Sequence, residues 1–207
     1  RLYIKYQRIG GVVICPDIPN DIRILMGLVE SLFRYKTLFH EIGHAITSGA
    51  NQAEGLYKIL PTSYDEIMAV IFEEIGIHIF ADDELKEVMA EIKLLEGART
   101  SISCLFEMEL WFNKEKSPEE LFGEYQSLLP IEPMENILWA KDSFRYIDPV
   151  YNHNYVLGEI YAPKVVDKLV EEYGDDYRKW GQRLKEDFIV DGRKRSFVDK
   201  YHQFISS

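Results

Sequence analysis

Long apolar runs are missing from this sequence. No stretch approaches the ~18 residues that cross a bilayer, and the first residues lack the basic-then-apolar layout of a secretory leader. Cysteine is nearly missing too: Cys15 and Cys104 stand far apart without metal-ligand spacing, so two free reduced thiols are expected rather than a disulfide or a cysteine-built zinc module. Positive charge is in short supply, with 24 Lys and Arg against 35 Asp and Glu and a net charge of −11. That balance argues against a nucleic-acid groove, which needs a cationic surface, but leaves peptides as partners. The expected location is the cytoplasm, with neither membrane nor nucleic acid as a partner. Hydrophobic residues at 46% and charged residues at 29% are ordinary for a globular chain, and 207 residues suffice for one domain with a real core.

Histidine is also scarce, at five residues, yet two of them fall in one short pattern. Thr37 to Ala45 reads Thr-Leu-Phe-His-Glu-Ile-Gly-His-Ala, which is H-E-x-x-H inside an apolar run that suits a buried helix. Residues four apart share a helix face, so His40 and His44 can offer two imidazole nitrogens to one metal ion with Glu41 alongside. This is the arrangement of a zinc-dependent peptidase, and chance alone yields the pattern in roughly one such chain in a hundred.

Before the motif, Leu2 to Tyr6 and Gly11 to Cys15 read as two strands of a small hairpin around Gly10-Gly11, and Asp21 to Ile24 as a third strand. The motif helix is expected over 28–48, stopping at Ser48-Gly49 with the glycine as C-cap. A second helix is expected after Pro61, capped by Thr62 or Ser63 and running to Phe80, with Glu66 as capping-box partner if Ser63 is the cap. Further helices are expected at 82–96, 99–113, 118–128, 134–143, 150–173 and 175–188, separated by Gly97, Pro118, Pro130, Pro133, Pro149 and Gly174. The fold class expected is mainly α, with a small β-sheet near the N-terminus.

Two histidines do not complete a zinc site; a catalytic centre takes a third protein ligand and leaves one position for water. Glu54, Glu66, Glu73, Glu74 and, as an outsider, His78 are the candidates. Glu66 is favoured, because the chain between it and His44 allows a loop and an antiparallel return, whereas Glu54 follows too soon. Glu73, two turns further along the same face, suits a group that orients a ligand. An acidic solvated face is the plain alternative for these glutamates, and a satisfied core or surface histidine for His78.

The set of His40, Glu41, His44, Glu66 and Glu73 resembles the thimet oligopeptidase and oligoendopeptidase F family of zinc peptidases. It resembles the thermostable carboxypeptidase Taq family equally, and the angiotensin-converting enzyme more distantly. A second segment, Pro149 to Gly158, is similar to the late proline-tyrosine-tyrosine segment of oligoendopeptidase F, and Tyr155 to Ala162 resembles the matching carboxypeptidase stretch. The resemblance implies that Tyr155 hydrogen-bonds the substrate carbonyl oxygen as it becomes an oxyanion, with Tyr151 a possible second donor. His153 stands where the oligopeptidases often carry another tyrosine. Asn20 to Ile24 is similar to the D-x-R-x-T strand of the carboxypeptidases, but Leu25 replaces the threonine. Tyr64-Asp65-Glu66-Ile67 also departs from that family's H-E-S/G-Q string, which weighs against a carboxypeptidase.

What the resemblance implies is a helical, zincin-like metallopeptidase catalytic domain over residues 1–207, forming the C-terminal part of a longer peptidase whose earlier helices supply the opposite wall of a channel. One Zn2+ is implied per chain, with Co2+ or Mn2+ as substitutes, since imidazole and carboxylate accept several metals. Peptides are the implied substrate, and an exposed edge near Gly10-Gly11-Val12 offers a place to pair with an extended one. The rival expectation is a non-catalytic or partial zinc-binding helical domain that holds a partner. Oligomeric state and the choice between internal and C-terminal cleavage stay open.

Overall fold

The computed structural model describes residues 2–6, 10–27, 31–129, 139–140 and 148–207, and these fall into two compact units. One comprises the chain up to Asp82 together with Gly158–Ser207, and the other is Asp83–Leu157. Helix dominates both, and the only sheet among the described residues lies near the N-terminus.

That sheet has strands β1 (Leu2–Tyr6), β2 (Gly11–Asp17) and β3 (Asp21–Met26) in the order β1-β3-β2. The expected hairpin of the first two strands is not formed. β2 instead turns back on β3 in antiparallel register, and β1 lies parallel on the far side of β3. Burial explains the choice. Ile22, Ile24 and Met26 alternate onto one face of β3 and are fully or nearly buried, so β3 takes the centre. They pack with Ala45, Leu38 and Ile42 of helix α1 (Leu32–Ala50) and with Val13 and Cys15 of β2, whose outer edge pairs with no strand among the described residues.

Helix α1 starts at the cap Ser31, whose side chain accepts from the Arg34 amide, and runs through Gly49 to Ala50 rather than stopping at Ser48-Gly49. Its partner α2 (Thr62–Phe80) is apolar nearly all round, with Tyr64, Ile67, Met68, Ala69, Val70 and Ile71 buried, and forms the middle of its unit. Neither Thr62 nor Ser63 caps α2. The cap position is Pro61, without a side-chain bond, and Glu66 turns elsewhere.

In the second unit, the helices expected at 82–96 and 99–113 are one, α3 (Asp83–Phe112). Gly97 costs a helix only about 1 kcal/mol against alanine, and good helix formers on both sides carry the turn through it. Helix α4 (Pro118–Gln126) begins with a capping box of Ser117 and Glu120, and Phe106, Leu121 and Phe122 make the local core. The helix expected at 134–143 lies almost wholly outside the described residues. Helix α5 (His153–Tyr173) runs from the second unit into the first.

The first unit ends with α6 (Tyr177–Leu184), a π-turn at Lys185–Ile189 and α7 (Phe197–Ser206). Helix α7 was not expected, although Ser196 followed by Asp199 and the spacing of Phe197, Tyr201 and Phe204 carry its signature. This end of the chain holds the loop between α1 and α2. Gln52 donates to Val190 O at 3.0 Å, the Arg193 amide to Tyr57 O at 2.9 Å, and Arg193 Nε to Leu56 O at 2.8 Å. The buried ammonium of Lys200 holds the other side, donating to Phe188 O at 2.8 Å and Gly192 O at 2.6 Å and pairing with Asp191. Tyr64, two residues before Glu66, donates to Phe188 O as well.

Gly192 is the tightest point of this clamp. Its φ of +57° disfavours any side chain, and a methyl there would meet Tyr57 O and come within 2.8 Å of Ala53 Cβ. Gly192→Ala is expected to lower unfolding free energy by about 2–4 kcal/mol, read from the midpoint of urea unfolding; an unchanged midpoint would show that the clamp carries no load.

Candidate metal centre

Three donors converge where α1 and α2 cross. His40 Nε2 lies 3.1 Å from His44 Nε2 and 3.1 Å from Glu66 Oε2, and His44 Nε2 lies 3.7 Å from the same oxygen. A tetrahedral ion with bonds of about 2.0–2.1 Å spaces its donors about 3.3 Å apart, so this triangle has the size that zinc requires. The donor chemistry fits as well. Two imidazole nitrogens 3.1 Å apart that both carry lone pairs repel each other unless a proton or a metal ion lies between them. Among the described residues this is the one group of three such side chains close enough to share an ion.

The close crossing makes the triangle possible. Gly43 inside the motif faces Ala69, and a methyl at Gly43 would come within 2.8 Å of the Ala69 Cα. Glycine against alanine brings the two backbones together, and Glu66, less than one turn before Ala69, thereby reaches His40 and His44.

Each imidazole is held from behind. Glu73 Oε1 lies 2.6 Å from His40 Nδ1, which turns Nε2 inward. Asp65 Oδ2 lies 2.9 Å from His44 Nδ1, an ion-pair distance, with the ring N–H off the line between them. The centre therefore favours positive charge. Burial opposes a charged His40 ring, but the Glu66 and Glu73 carboxylates beside it outweigh that and lift its pKa to about 10. His44 is raised too, burial being overcome by Asp65.

Glu41 is 6% exposed, and burial raises its carboxyl above the usual range while the neighbouring histidines pull it down. Gly11 of the edge strand β2 lies directly against it: a methyl at Gly11 would come within 2.6 Å of Glu41 Cδ. Glycine is needed there for room, not for its backbone angles.

The structure thus brings together His40, His44, Glu66, Glu73 and Glu41. Of the other carboxylates considered from sequence, Glu54 is exposed in the loop and Glu74 is outside the group. His78 stands apart at the end of α2, 3.4 Å from Asp175 with its ring 5.0 Å from Trp180. Tyr151, His153 and Tyr155 lie in the second unit, where the two tyrosine rings meet edge-on at 5.5 Å and His153 Nδ1 is 2.5 Å from Val150 O. Sequence reasoning missed Asp65, although its place directly before the third ligand was the available signal. It also missed Lys36, one turn before His40 on the same face, whose Nζ lies 3.3 Å from Glu73 Oε2.

No family model matches the sequence, and no curated protein does at a significant level. Solved structures do match in fold. A crystal structure of BsuCP superposes with a TM-score of 0.75 at 18% identity over 100% of this chain and 51% of that one. PZ peptidase A, solved with an inhibitor, gives 0.73 at 14% identity over 98% of this chain and 39% of that one. A structure from Bacillus anthracis assigned as an oligoendopeptidase F gives 0.67 at 17% identity, covering 98% and 36%. The chain therefore has the mainly helical, zincin-like fold of these structures, as its motifs lead one to expect. It spans about half or less of their length.

The α1–α2 approach makes a measurable demand. Gly43→Val is expected to weaken zinc binding at least tenfold in competition with a chelator, because the helices must separate. A folded variant, checked by circular dichroism, that binds zinc as the parent does would contradict this.

Proposed function

We propose that the chain is the zinc-binding catalytic part of a metallopeptidase that hydrolyses peptide bonds in oligopeptides. The observation that carries this reading is Glu41: a buried carboxylate beside a triangle of zinc-sized donors, with its pKa raised by burial. A zinc site serving only the fold has no use for such a group and fills its fourth position with a side chain. The fold shared with PZ peptidase A and the oligoendopeptidase F structure supports the same reading.

Zinc bound by His40, His44 and Glu66 supplies a Lewis acid that lowers the pKa of a water toward neutrality. Every other part falls to the chain's own groups. Glu41 takes the proton from the water as the water attacks the peptide carbonyl, then passes it to the departing amine. Glu73 and Asp65 keep the imidazoles turned toward the metal. The open outer edge of β2, with Gly11 against Glu41, offers backbone groups to an extended peptide and would set its carbonyl near the base. The role of oxyanion donor belongs to Tyr155 on the motif resemblance, with Tyr151 and His153 as subsidiary candidates. Co2+ or Mn2+ could serve in place of zinc with this donor set.

The test is elemental analysis alongside cleavage of an internally quenched peptide. The parent and Glu41→Gln should each hold about one zinc, with turnover lost at least a hundredfold in the variant; Tyr155→Phe, assayed in parallel, should lower kcat with zinc content unchanged. Zinc in both forms without cleavage by the parent would favour a metal-binding domain that holds a partner. No zinc in the parent would overturn the proposal.

Gly11→Ala separates the base from the metal. Its methyl displaces the Glu41 carboxylate, so kcat is expected to fall at least tenfold while zinc affinity stays within about twofold. Equal loss of both would mean that Gly11 supports the fold rather than the base.

A further inference from the structure

The contacts that orient His40 continue beyond Glu73. This carboxylate reaches from α2 toward α1 and uses its two oxygens differently: Oε1 lies 2.6 Å from His40 Nδ1, and Oε2 lies 3.3 Å from Lys36 Nζ. Lys36 is one turn before His40, so one helix face carries both the imidazole and the ammonium that share this carboxylate. The Lys36 side chain is only 13% exposed, and its Nζ also lies 4.0 Å from Glu159 Oε1 on α5. Three helices of the same unit therefore meet at this amine.

A lysine is seldom held in so closed a place, because a long side chain loses rotamer freedom and its ammonium loses water. A carboxylate gripped by His40 alone could still swing about its last torsion, which is broad for glutamate. A second contact on the other oxygen sets the plane of the carboxylate, and with it the direction in which His40 Nδ1 is held.

We propose that Lys36 is a positioning residue for the metal ligand His40, acting through Glu73. The inference rests on the metallopeptidase reading to the extent that it needs zinc at His40, His44 and Glu66. Lys36 is not one of the three donors of the triangle. It fixes the carboxylate that fixes the ring, and so governs how tightly the metal is held.

The experiment compares Lys36→Met, Lys36→Arg, Glu73→Gln and the double variant Lys36→Met/Glu73→Gln. Zinc dissociation constants are measured by chelator competition, and thermal midpoints on the metal-free chains. Lys36→Met is expected to weaken zinc at least tenfold, Lys36→Arg to stay within about threefold of the parent, and the double variant to bind no worse than Glu73→Gln alone. Should Lys36→Met not fold, Lys36→Gln carries the same expectation. Parent-like zinc binding in Lys36→Met overturns the proposal, as does a double variant whose loss is the product of the two single losses. So does a Lys36→Arg as weak as Lys36→Met, since a purely structural lysine would lack that rescue. A parent that binds zinc but cleaves no peptide would remove the peptidase reading and leave this inference standing. Parent-like binding in Lys36→Met removes this inference and leaves that reading, and a parent without zinc removes both.

Discussion

The distance between α1 and α2 is the constraint on which the rest depends. Two helices with large residues at their crossing keep their axes about 10 Å apart, which would draw Glu66 back from the place it takes beside His40 and His44. Gly43 against Ala69 removes that spacer. The motif glycine lies between the two ligands it serves, so the helix that supplies the imidazoles also supplies the gap through which the third ligand arrives. The C-terminal clamp acts on the same geometry from outside. By holding the 51–61 loop through Val190, Gly192 and Arg193, and Tyr64 through Phe188, it limits how far α2 can slide along α1.

Charge follows from that geometry. Glu66, Glu73, Asp65 and Glu41 crowd around two histidines, and the low exposure of the cluster makes such a grouping costly without a compensating cation. Positive charge inside the triangle, on a protonated His40 ring or on a bound cation, and the Lys36 ammonium behind Glu73 offset it. Gly11 completes the centre by letting a sheet edge reach Glu41, which places an edge strand beside the carboxylate that follows His40. The shared fold of the peptidase structures is thus joined by a local chemistry argued independently from donor spacing and burial.

Much of this was legible before any coordinate. His40, Glu41 and His44 follow from helical period alone, and Glu66 from the need for a third ligand on a returning helix. Glu73 was assigned an orienting role from its place on the Glu66 face. Local rules failed where tertiary contacts overrode them. Ser63 and Glu66 have capping-box spacing, yet Glu66 turns to the histidines. Gly49 has the look of a C-cap, yet α1 continues through it, where the side chain of Ile22 packs close. Gly97 has the look of a break but interrupts nothing. The hairpin of β1 and β2 is the natural reading of adjacent strands, but Ile22, Ile24 and Met26 bury one face of β3 and put it in the centre.

By itself the sequence determined which side chains could bind a metal and which could move a proton, because those properties lie in residue type and helical period. Tertiary structure decided which of several glutamates is the third donor, that Asp65 and Lys36 belong to the centre, and which strand borders the base. The physical reason is reach. A carboxylate acts only within about 3 Å of its partner, and separations on that scale between distant segments are set by how closely two backbones pack, which no local pattern encodes.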